Sequence, residues 1–306
     1  MKKLLVILGP TSSGKSDLAI KIAKKFKGEI ISADSRQVYI GMDLGTGKVK
    51  KDKNKKSNFY YSQGIRHHLL DVVSPNKYFS VYQYQKLAKK AIKDILKRKK
   101  LPILCGGTGL YISSVIENWQ FLKIKPDFKL RKKLEKLSAK ELFQKIKKID
   151  PKRAKNIDPK NKRRLIRAIE IALQLGKVPP LEKKPLKMDI LILGIKKERE
   201  ELKKLIKKRL EKRLKEGMIE EVKKLKEKGV SNERLESFGL EYRYINRYLE
   251  RKINFEEMKK QLLKAIIDYA KRQMTWFKKM ENVYWIKDEK AALKLTKNWL
   301  KNSTKN

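Results

Sequence analysis

Along the chain, short apolar runs alternate with longer stretches in which apolar residues recur every three or four positions. Residues 4–8 form a continuous apolar run, typical of a strand buried on both faces, and Leu18, Ile22 and Ala23 then recur at helical spacing. Similar patterns predict strands at residues 29–33, 101–105, 190–195 and 282–286, and helices at residues 81–98, 200–215, 254–279 and near the C-terminus. This alternation predicts a parallel sheet covered by helices on both faces.

Two stretches interrupt the alternation. Residues 48–62 are polar and nearly patternless, which predicts a mobile surface loop. Residues 122–185 carry helical periodicity and Asp-Pro turn signals with hardly any strand signal. We therefore predict a core of residues 1–121 and 186–306, with a helical domain of residues 122–185 inserted between two of its strands. After the insertion, Asn254 and Glu257 have the spacing of a capping box that opens a long helix.

The stretch GPTSSGKS lies between the first predicted strand and the first predicted helix. Its Gly9, Gly14, Lys15 and Ser16 satisfy the phosphate-loop pattern G-x-x-x-x-G-K-[ST] in the context which that pattern requires. The glycines let backbone N–H groups point towards an anion, Lys15 reaches the outer phosphate, and the Ser16 hydroxyl can bind Mg²⁺. The expected fold class is α/β, a P-loop NTPase-like parallel sheet flanked by helices, with an inserted all-helical domain.

The position of the acidic residues limits the chemistry. An ATPase needs a second acid at the end of an apolar strand to organise magnesium and water, but the strand at residues 101–105 ends in Gly-Gly-Thr. The acid at a core strand end is Asp34. Asp often caps a helix or loop, whereas a carboxylate at the carboxyl edge of an open α/β sheet lies where such sheets bind ligands. In the second case Asp34 can hold or deprotonate an acceptor group.

Composition adds an electrostatic signal. The chain has 80 Lys and Arg against 34 Asp and Glu, a net charge of +46, and such a field attracts polyanions. Nucleic acid is therefore the expected partner. Only 16 of the basic residues are Arg, so a Lys-rich surface without a binding role is the alternative.

The remaining composition narrows the class of protein. Cys105 is the single cysteine and is expected to be a small buried strand residue, so no internal disulfide is predicted. His67 and His68 are the two histidines and are expected in a structural loop rather than a metal site. No apolar run reaches the length of a membrane span, and we expect a cytoplasmic protein.

Six segments follow one another between about residues 4 and 285: GPTSSGKSDLA, ISADSRQVYIGMDLGTGK, HHLLDVVSP, LPILCGGTGLYI, RRLIRAIEI and YAKRQMTWFKK. In this order they resemble the successive motifs of the tRNA dimethylallyltransferases, also called tRNA isopentenyltransferases, of the bacterial type. The resemblance implies transfer of a dimethylallyl group from dimethylallyl diphosphate to the exocyclic amine of the adenosine 3′ of a tRNA anticodon. The phosphate loop would then bind a diphosphate leaving group with Mg²⁺, and the protein would bind the anticodon stem-loop. Separately, we expect the protein to be a monomer.

The resemblance also implies roles for individual residues. Asp34 would bind the adenine amine and take its proton, Thr108 would lie near the base, and Arg213 would be the catalytic arginine, although Arg209 on the same helix face is an alternative and both can be solvated surface charges. The diphosphate would contact Gly9, Pro10, Thr11, Ser12, Ser13, Gly14, Lys15, Ser16 and Arg209, with Ser16 also on the metal. The tRNA would contact Asp34, Ser35, Arg36, Gln37, Arg163, Arg164, Arg167, Lys271, Arg272, Gln273 and Trp276. Trp276 or its neighbour Phe277 can instead be a core residue.

Three other functions remain open at this point: a small-molecule or nucleotide kinase, a nucleic-acid-binding ATPase, and an RNA-binding module with a vestigial loop. The basic insertion, the missing acid and the intact Lys15-Ser16 pair speak against them in that order. Two segments depart from the family pattern. GTGKV replaces the commoner Gly-Thr-Ala-Lys-Pro, and ESFGLEYRYI stands where Gly-Tyr-Lys/Arg-Glu is usual, around Gly239 to Glu241.

Overall fold

The computed structural model describes residues 1–52, 58–122 and 124–302. The strands of this part of the chain are β1 (Lys3–Leu8), β2 (Gly28–Ser32), β3 (Tyr60–Ser62), β4 (Ile65–His68), β5 (Leu101–Gly106), β6 (Trp119–Gln120), β7 (Glu182–Lys183), β8 (Asp189–Ile195) and β9 (Val283–Ile286). Seven of them form one sheet in the order β3-β4-β2-β5-β1-β8-β9, in which every pair is parallel except β3 with β4.

Helices connect the strands. In chain order they are α1 (Lys15–Lys25), α2 (Val81–Lys97), α3 (Gly109–Ile116), α4 (Phe128–Glu135), α5 (Ala139–Ile149), α6 (Pro151–Ala154), α7 (Lys162–Leu175), α8 (Arg199–Lys215), α9 (Met218–Glu227), α10 (Asn232–Phe238), α11 (Leu240–Leu249), α12 (Phe255–Phe277) and α13 (Glu289–Lys301). Within the described ranges, no helix is long and apolar enough to span a membrane.

The chain divides into two compact units. The core unit, Met1–Asn118 and Pro185–Asn306, contains the seven-stranded sheet. The inserted unit, Trp119–Lys184, consists of α4–α7 and the short antiparallel pair β6–β7, and it has a separate apolar cluster built around Leu142, Ile146 and Leu165.

The sheet of the core unit is buried on both faces because its strands are apolar at successive positions. In β1, Leu4, Val6 and Leu8 pack into a cluster with α2 and α3, while Leu5 and Ile7 pack into another with α1 and α13. All five side chains are fully buried. Because β5 pairs in parallel with both β1 and β2, the carboxyl ends of these three strands lie at one edge of the sheet, where ligands of open α/β folds bind.

Most of the predicted elements are confirmed. The apolar runs lie in β1, β2, β5, β8 and β9, and the predicted helices match α2, α8, α12 and α13. Asn254 and Glu257 make both bonds of the predicted capping box. Cys105 lies buried in β5, as predicted. The predicted α/β class with a P-loop NTPase-like sheet is confirmed.

Two local predictions were wrong. Residues 60–62 belong to β3, which pairs with β4, so the predicted loop ends earlier than residue 62; its residues 53–57 lie outside the described part of the chain. His67 and His68 lie in β4 rather than in a loop. His67 is buried, and His68 Nε2 lies 2.8 Å from Glu29 Oε2, so His68 links β4 to the neighbouring strand β2.

Candidate active site

The phosphate loop connects β1 to α1 at the carboxyl edge of the sheet. Ser12 and Gly14 take left-handed backbone angles, with φ of 61° and 86°. Alternation of this kind turns successive N–H groups to one side and forms an anion-binding concavity. Lys15 Nζ donates to the Pro10 carbonyl at 3.1 Å, and burial lowers the Lys15 pKa to about 8, so its charge is poorly solvated. A bound anion would offset the cost of burying that charge, because a nearby negative charge favours the protonated lysine.

Two serines of the loop offer further oxygen atoms. Ser13 is buried, and its Oγ has no hydrogen-bond partner within the described residues. Ser16 and Asp17 lie in the first turn of α1 and line the cleft in front of the loop. The loop therefore presents backbone N–H donors, the Lys15 ammonium and serine hydroxyls, as the sequence pattern predicts for a phosphate site.

A cleft of about 1070 Å³ opens in front of the phosphate loop within the core unit. Its lining carries nine basic side chains against three acidic ones. The basic residues are Lys15, Lys48, Lys50, Lys51, Lys197, Lys208, Arg209, Lys212 and Arg213, and the acids are Asp17, Asp43 and Glu216. This imbalance defines a strongly positive anion-binding cleft.

The two arginines of α8 differ in their partners. Arg213 is buried, and its Nη1 lies 3.4 Å from both Glu241 Oε1 and the Gly45 carbonyl. Arg209 is half-buried, and within the described ranges no acceptor lies within hydrogen-bond distance of its guanidinium. Burial, reinforced by the charge of Arg213, lowers the Arg209 pKa to about 10. Neither arginine is a fully solvated surface charge, so that alternative is wrong.

Asp34 and Thr108 meet where β2 and β5 end. Asp34 Oδ1 accepts from the backbone N–H of Arg36 at 2.8 Å and of Gln37 at 3.3 Å, so the capping role considered for Asp34 is present. The hydroxyl of Thr108 accepts from the Ser35 N–H at 3.0 Å instead of capping its own helix α3. The two loops are thereby fixed to each other beside the carboxylate.

Gln273 links the phosphate loop to the Thr108 turn. Its Oε1 accepts from the Thr11 N–H at 2.9 Å, and its Nε2 donates to the Gly107 carbonyl at 2.8 Å. The side chain is buried, so a lost bond would leave an unsatisfied polar group. Through Gln273, α12 holds the carboxyl ends of β1 and β5 in one arrangement.

Other residues that were predicted to contact tRNA have protein partners in the core unit. The Arg36 guanidinium donates to the Phe238 carbonyl at 2.8 Å, and Gln37 Nε2 donates to the Thr46 and Gly47 carbonyls at 3.3 Å each. Trp276 Nε1 donates to Ser113 Oγ at 3.3 Å, while Phe277 is fully buried core. Lys271 and Arg272 are exposed on α12.

The arginines of the inserted unit lie on α7. Arg163 and Arg164 are exposed, whereas Arg167 pairs with Glu170, whose side chain is fully buried, and donates to the Ile124 carbonyl at 3.1 Å. Glu170 also accepts from Arg131 Nη2 at 2.7 Å. Arg167 therefore has a structural partner three residues along its own helix.

Two residues near the site were missed as candidates. Tyr269 hydrogen-bonds Thr108, and burial together with the nearby Asp34 charge raises its pKa to about 12. It opens the quoted segment YAKRQMTWFKK, so the segment itself was the signal. Glu241 is the buried partner of Arg213, and its segment was noted only as a departure from the family pattern.

Fold and site together define a P-loop protein with a basic cleft in front of its phosphate loop. The chain belongs to the IPP transferase family, whose model matches residues 37–280. It is 45% identical over 300 residues to the tRNA dimethylallyltransferase of Acetivibrio thermocellus, covering 94% of this chain and 93% of that protein. It is 43% identical over 303 residues to tRNA dimethylallyltransferase 1 of Syntrophus aciditrophicus, covering 96% and 97%.

Solved structures agree. The full-length tRNA isopentenylpyrophosphate transferase of Bacillus halodurans superposes with a TM-score of 0.73 at 34% identity, over 100% of this chain and 99% of that one. A eukaryotic dimethylallyltransferase acting on tRNA gives 0.74 at 28% identity, over 94% and 74%. The predicted family and its enzyme class are confirmed.

Proposed function

We propose that this protein transfers a dimethylallyl group from dimethylallyl diphosphate to the exocyclic amine of the adenosine 3′ of a tRNA anticodon, as a cytoplasmic monomer. The observation that carries the proposal is the Gln273 bridge, which joins the phosphate loop to the turn that holds Thr108 beside Asp34. A leaving-group site and a base site thus share one rigid edge of the core unit.

The leaving-group half of the site stabilises negative charge. As the bond between the allylic carbon and the diphosphate oxygen breaks, its electron pair passes to the diphosphate. Residues 12–16 of the loop line the cleft where that charge develops, together with the Lys15 ammonium and the guanidinium of Arg209. Such fixed donors supply a large share of catalysis when charge appears in a poorly solvated site. Arg213, which is paired with Glu241, adds a second guanidinium charge to the same cleft.

The acceptor half removes a proton. The adenine amine nitrogen bonds to the allylic carbon, and Asp34 takes the amine proton as general base. Two backbone N–H groups fix Oδ1 of Asp34, which orients the carboxylate. Thr108 lies beside it, and Tyr269 holds the Thr108 hydroxyl. The adenine must leave its stack to reach this edge.

Mg²⁺ fits the phosphate side of the site. Ser16 offers a hydroxyl on the cleft beside the Asp17 carboxylate, and oxygen ligands are those that Mg²⁺ prefers. The described residues contain no cluster of three or more His, Cys, Asp and Glu, so the diphosphate itself would supply most of the ligands. When bound, the ion would neutralise charge on the leaving diphosphate.

The tRNA would be held by basic side chains outside the reacting centre. We assign the inserted unit, and Arg163 and Arg164 of α7 in particular, to the anticodon stem-loop, with Arg167 supporting them. Lys271, Arg272 and Trp276 of α12 and the segment Ser35–Gln37 would contact the RNA near the flipped base. Phosphate contacts of this kind position the nucleic acid, and stacking on aromatic and Arg planes suits unpaired bases.

The test is mass spectrometry of tRNA nucleosides after incubation with dimethylallyl diphosphate and Mg²⁺. We expect dimethylallylated adenosine and no turnover of ATP in a parallel reaction. Robust ATP hydrolysis or phosphorylation, without prenylated adenosine, would instead indicate an ATPase or a kinase.

A further inference from the structure

The turn formed by residues 43–47, called here the 43–47 turn, lines the phosphate cleft together with α8. The Glu221 carboxylate accepts from the backbone N–H of Asp43, Leu44 and Gly45 at 2.9, 2.6 and 3.0 Å. Lys48, whose side chain is 1% exposed, donates to the Asp43 carboxylate at 2.7 Å. The turn is therefore fixed from two sides before any ligand arrives.

Gly47 ends this turn with φ of 63°, an angle that side chains rarely adopt. A Cβ placed on Gly47 would overlap the Nη2 atom of Arg213 and would come 2.9 Å from Nη2 of Arg209. The guanidinium of Arg213 thus fills the space that the missing side chain leaves. Gly47 is also the residue at which this chain has glycine where the family pattern commonly has alanine.

Glu241 faces the same guanidinium. Its Oε1 lies 3.4 Å from Arg213 Nη1, and both residues are buried. The other charges that bear on Glu241 are Arg209 and Asp34, and burial raises the Glu241 pKa against the opposing effect of Arg213. Glu241 is the only described carboxylate paired with Arg213, so it offsets the repulsion between two arginines that share a helix face.

We propose that Gly47 and Glu241 are positioning residues for Arg213: Gly47 leaves the space in which its guanidinium lies, and Glu241 holds it there beside the phosphate loop. The inference rests on the proposed function, since the anion that Arg213 would meet is the diphosphate. Both places where the sequence departs from the family pattern then serve one arginine.

The first test measures the affinity for inorganic diphosphate with Mg²⁺ by calorimetry, independently of transfer. We expect Gly47→Ala to weaken binding about tenfold or more, the scale of a charge-assisted hydrogen bond. Gly229→Ala is the matched control, because Gly229 has a similar φ of 78° with open space around it. It should bind diphosphate normally.

A double-mutant cycle separates positioning from a general loss of the turn. In an Arg213→Ala background, Gly47→Ala should cost little further affinity, because the guanidinium it displaces is gone. Equal losses in both backgrounds would overturn the assignment of Gly47, and so would normal binding by Gly47→Ala.

Glu241→Gln tests the second half. The substitution removes a negative charge from a basic site, so diphosphate affinity should stay equal or increase, while single-turnover transfer falls about tenfold because Arg213 is no longer fixed. The slowing should disappear in the Arg213→Ala background. An unchanged rate, or equal slowing in both backgrounds, would refute the role of Glu241. If the wild-type protein binds diphosphate but prenylates no tRNA, the proposed function is refuted. The diphosphate affinities of the Gly47 and Arg213 variants would still test the assignment of Gly47.

Discussion

Two helices of this protein carry closely spaced arginines, and their arginines are used differently. In α8 of the core unit, Arg213 is buried against Glu241, while Arg209 faces the phosphate cleft without an acceptor in the described part of the chain. In α7 of the inserted unit, Arg167 is paired with the buried Glu170, while Arg164 is exposed. Each helix thus combines an arginine held by a buried carboxylate with one that is more available to a ligand.

The surroundings of the two helices differ. At the phosphate loop, desolvation lowers the pKa values of Lys15 and Arg209, and the backbone is fixed by buried bonds. On α7, Arg163 and Arg164 are exposed, and the charge of an exposed side chain interacts weakly and is screened by salt. Changes at the core edge should therefore alter rate and pH dependence, and changes on α7 should alter salt dependence.

The largest effect is expected from Asp34→Asn. Asn keeps an oxygen for the N–H groups of Arg36 and Gln37 but cannot take the amine proton, so single-turnover transfer should fall about 100-fold or more. Affinity for tRNA and diphosphate should change little. Asp94→Asn, which alters a carboxylate of α2 that is paired with Arg98, is the control. Near-normal transfer by a folded Asp34→Asn protein would leave Asp34 as a capping residue only.

A second prediction concerns pH. Free protein loses the Lys15 proton above pH about 8, whereas a bound diphosphate favours the charged form, so binding above this pH must take up a proton. Diphosphate affinity should therefore fall by up to about tenfold per pH unit above pH 8. An unfolded lysine keeps its proton to about pH 10.4, so folding stability should rise over the same window.

Because folding stability should rise with pH while diphosphate affinity falls, unfolding cannot be the cause of the lost affinity. Lys15→Arg is the control, because arginine stays protonated throughout this range and its affinity should lack the step. Calorimetry at several pH values measures both proteins. A step of equal size in Lys15→Arg would mean that another group titrates.

Sequence patterns predicted the strands and the phosphate loop because their signals are local. A buried strand shows as a continuous apolar run, and the loop shows as glycines, Lys15 and Ser16 within eight residues. The hairpin β3–β4 was missed because strands of three and four residues with polar side chains carry no such run.

Pairing between distant side chains could not be predicted. The bond from Thr11 to Gln273 joins residues 262 positions apart, and the pair of Arg213 with Glu241 spans 28. Each pair joins residues of two different elements, so no periodicity within one element relates its members, and only the tertiary packing of α8, α11 and α12 reveals the pairs. Spacing did show that Arg209 and Arg213 share a face, but not which of them has a buried partner.

A smaller effect is expected from Arg163→Ala with Arg164→Ala. If both contact phosphates, the slope of log affinity for tRNA against log salt should decrease by roughly 0.9 per lost contact, with diphosphate affinity unchanged. The matched control is Lys132→Ala with Lys133→Ala, which removes two exposed charges from α4 of the same unit. If both double variants change the slope equally, the general positive field is sufficient to explain tRNA binding. An unchanged slope in the arginine variant would mean that Arg163 and Arg164 do not contact tRNA phosphates.

The smallest effect separates Arg167 from Arg164 by stability instead of binding. Burial opposes ionisation of Glu170, yet bonds from Arg131 and Arg167 hold its pKa below the usual value, so the carboxylate is charged inside the unit. Arg167→Ala removes one partner and leaves Arg131, and we expect a loss of about 1 kcal/mol in opening of α7. Arg164→Ala should stay within about 0.5 kcal/mol, since the side chain is exposed. Hydrogen exchange of α7 amides in the full chain measures both. Equal protection in the two variants would mean that the Arg167–Glu170 pair does not stabilise the unit, and Arg167 would then be as available to RNA as its neighbours.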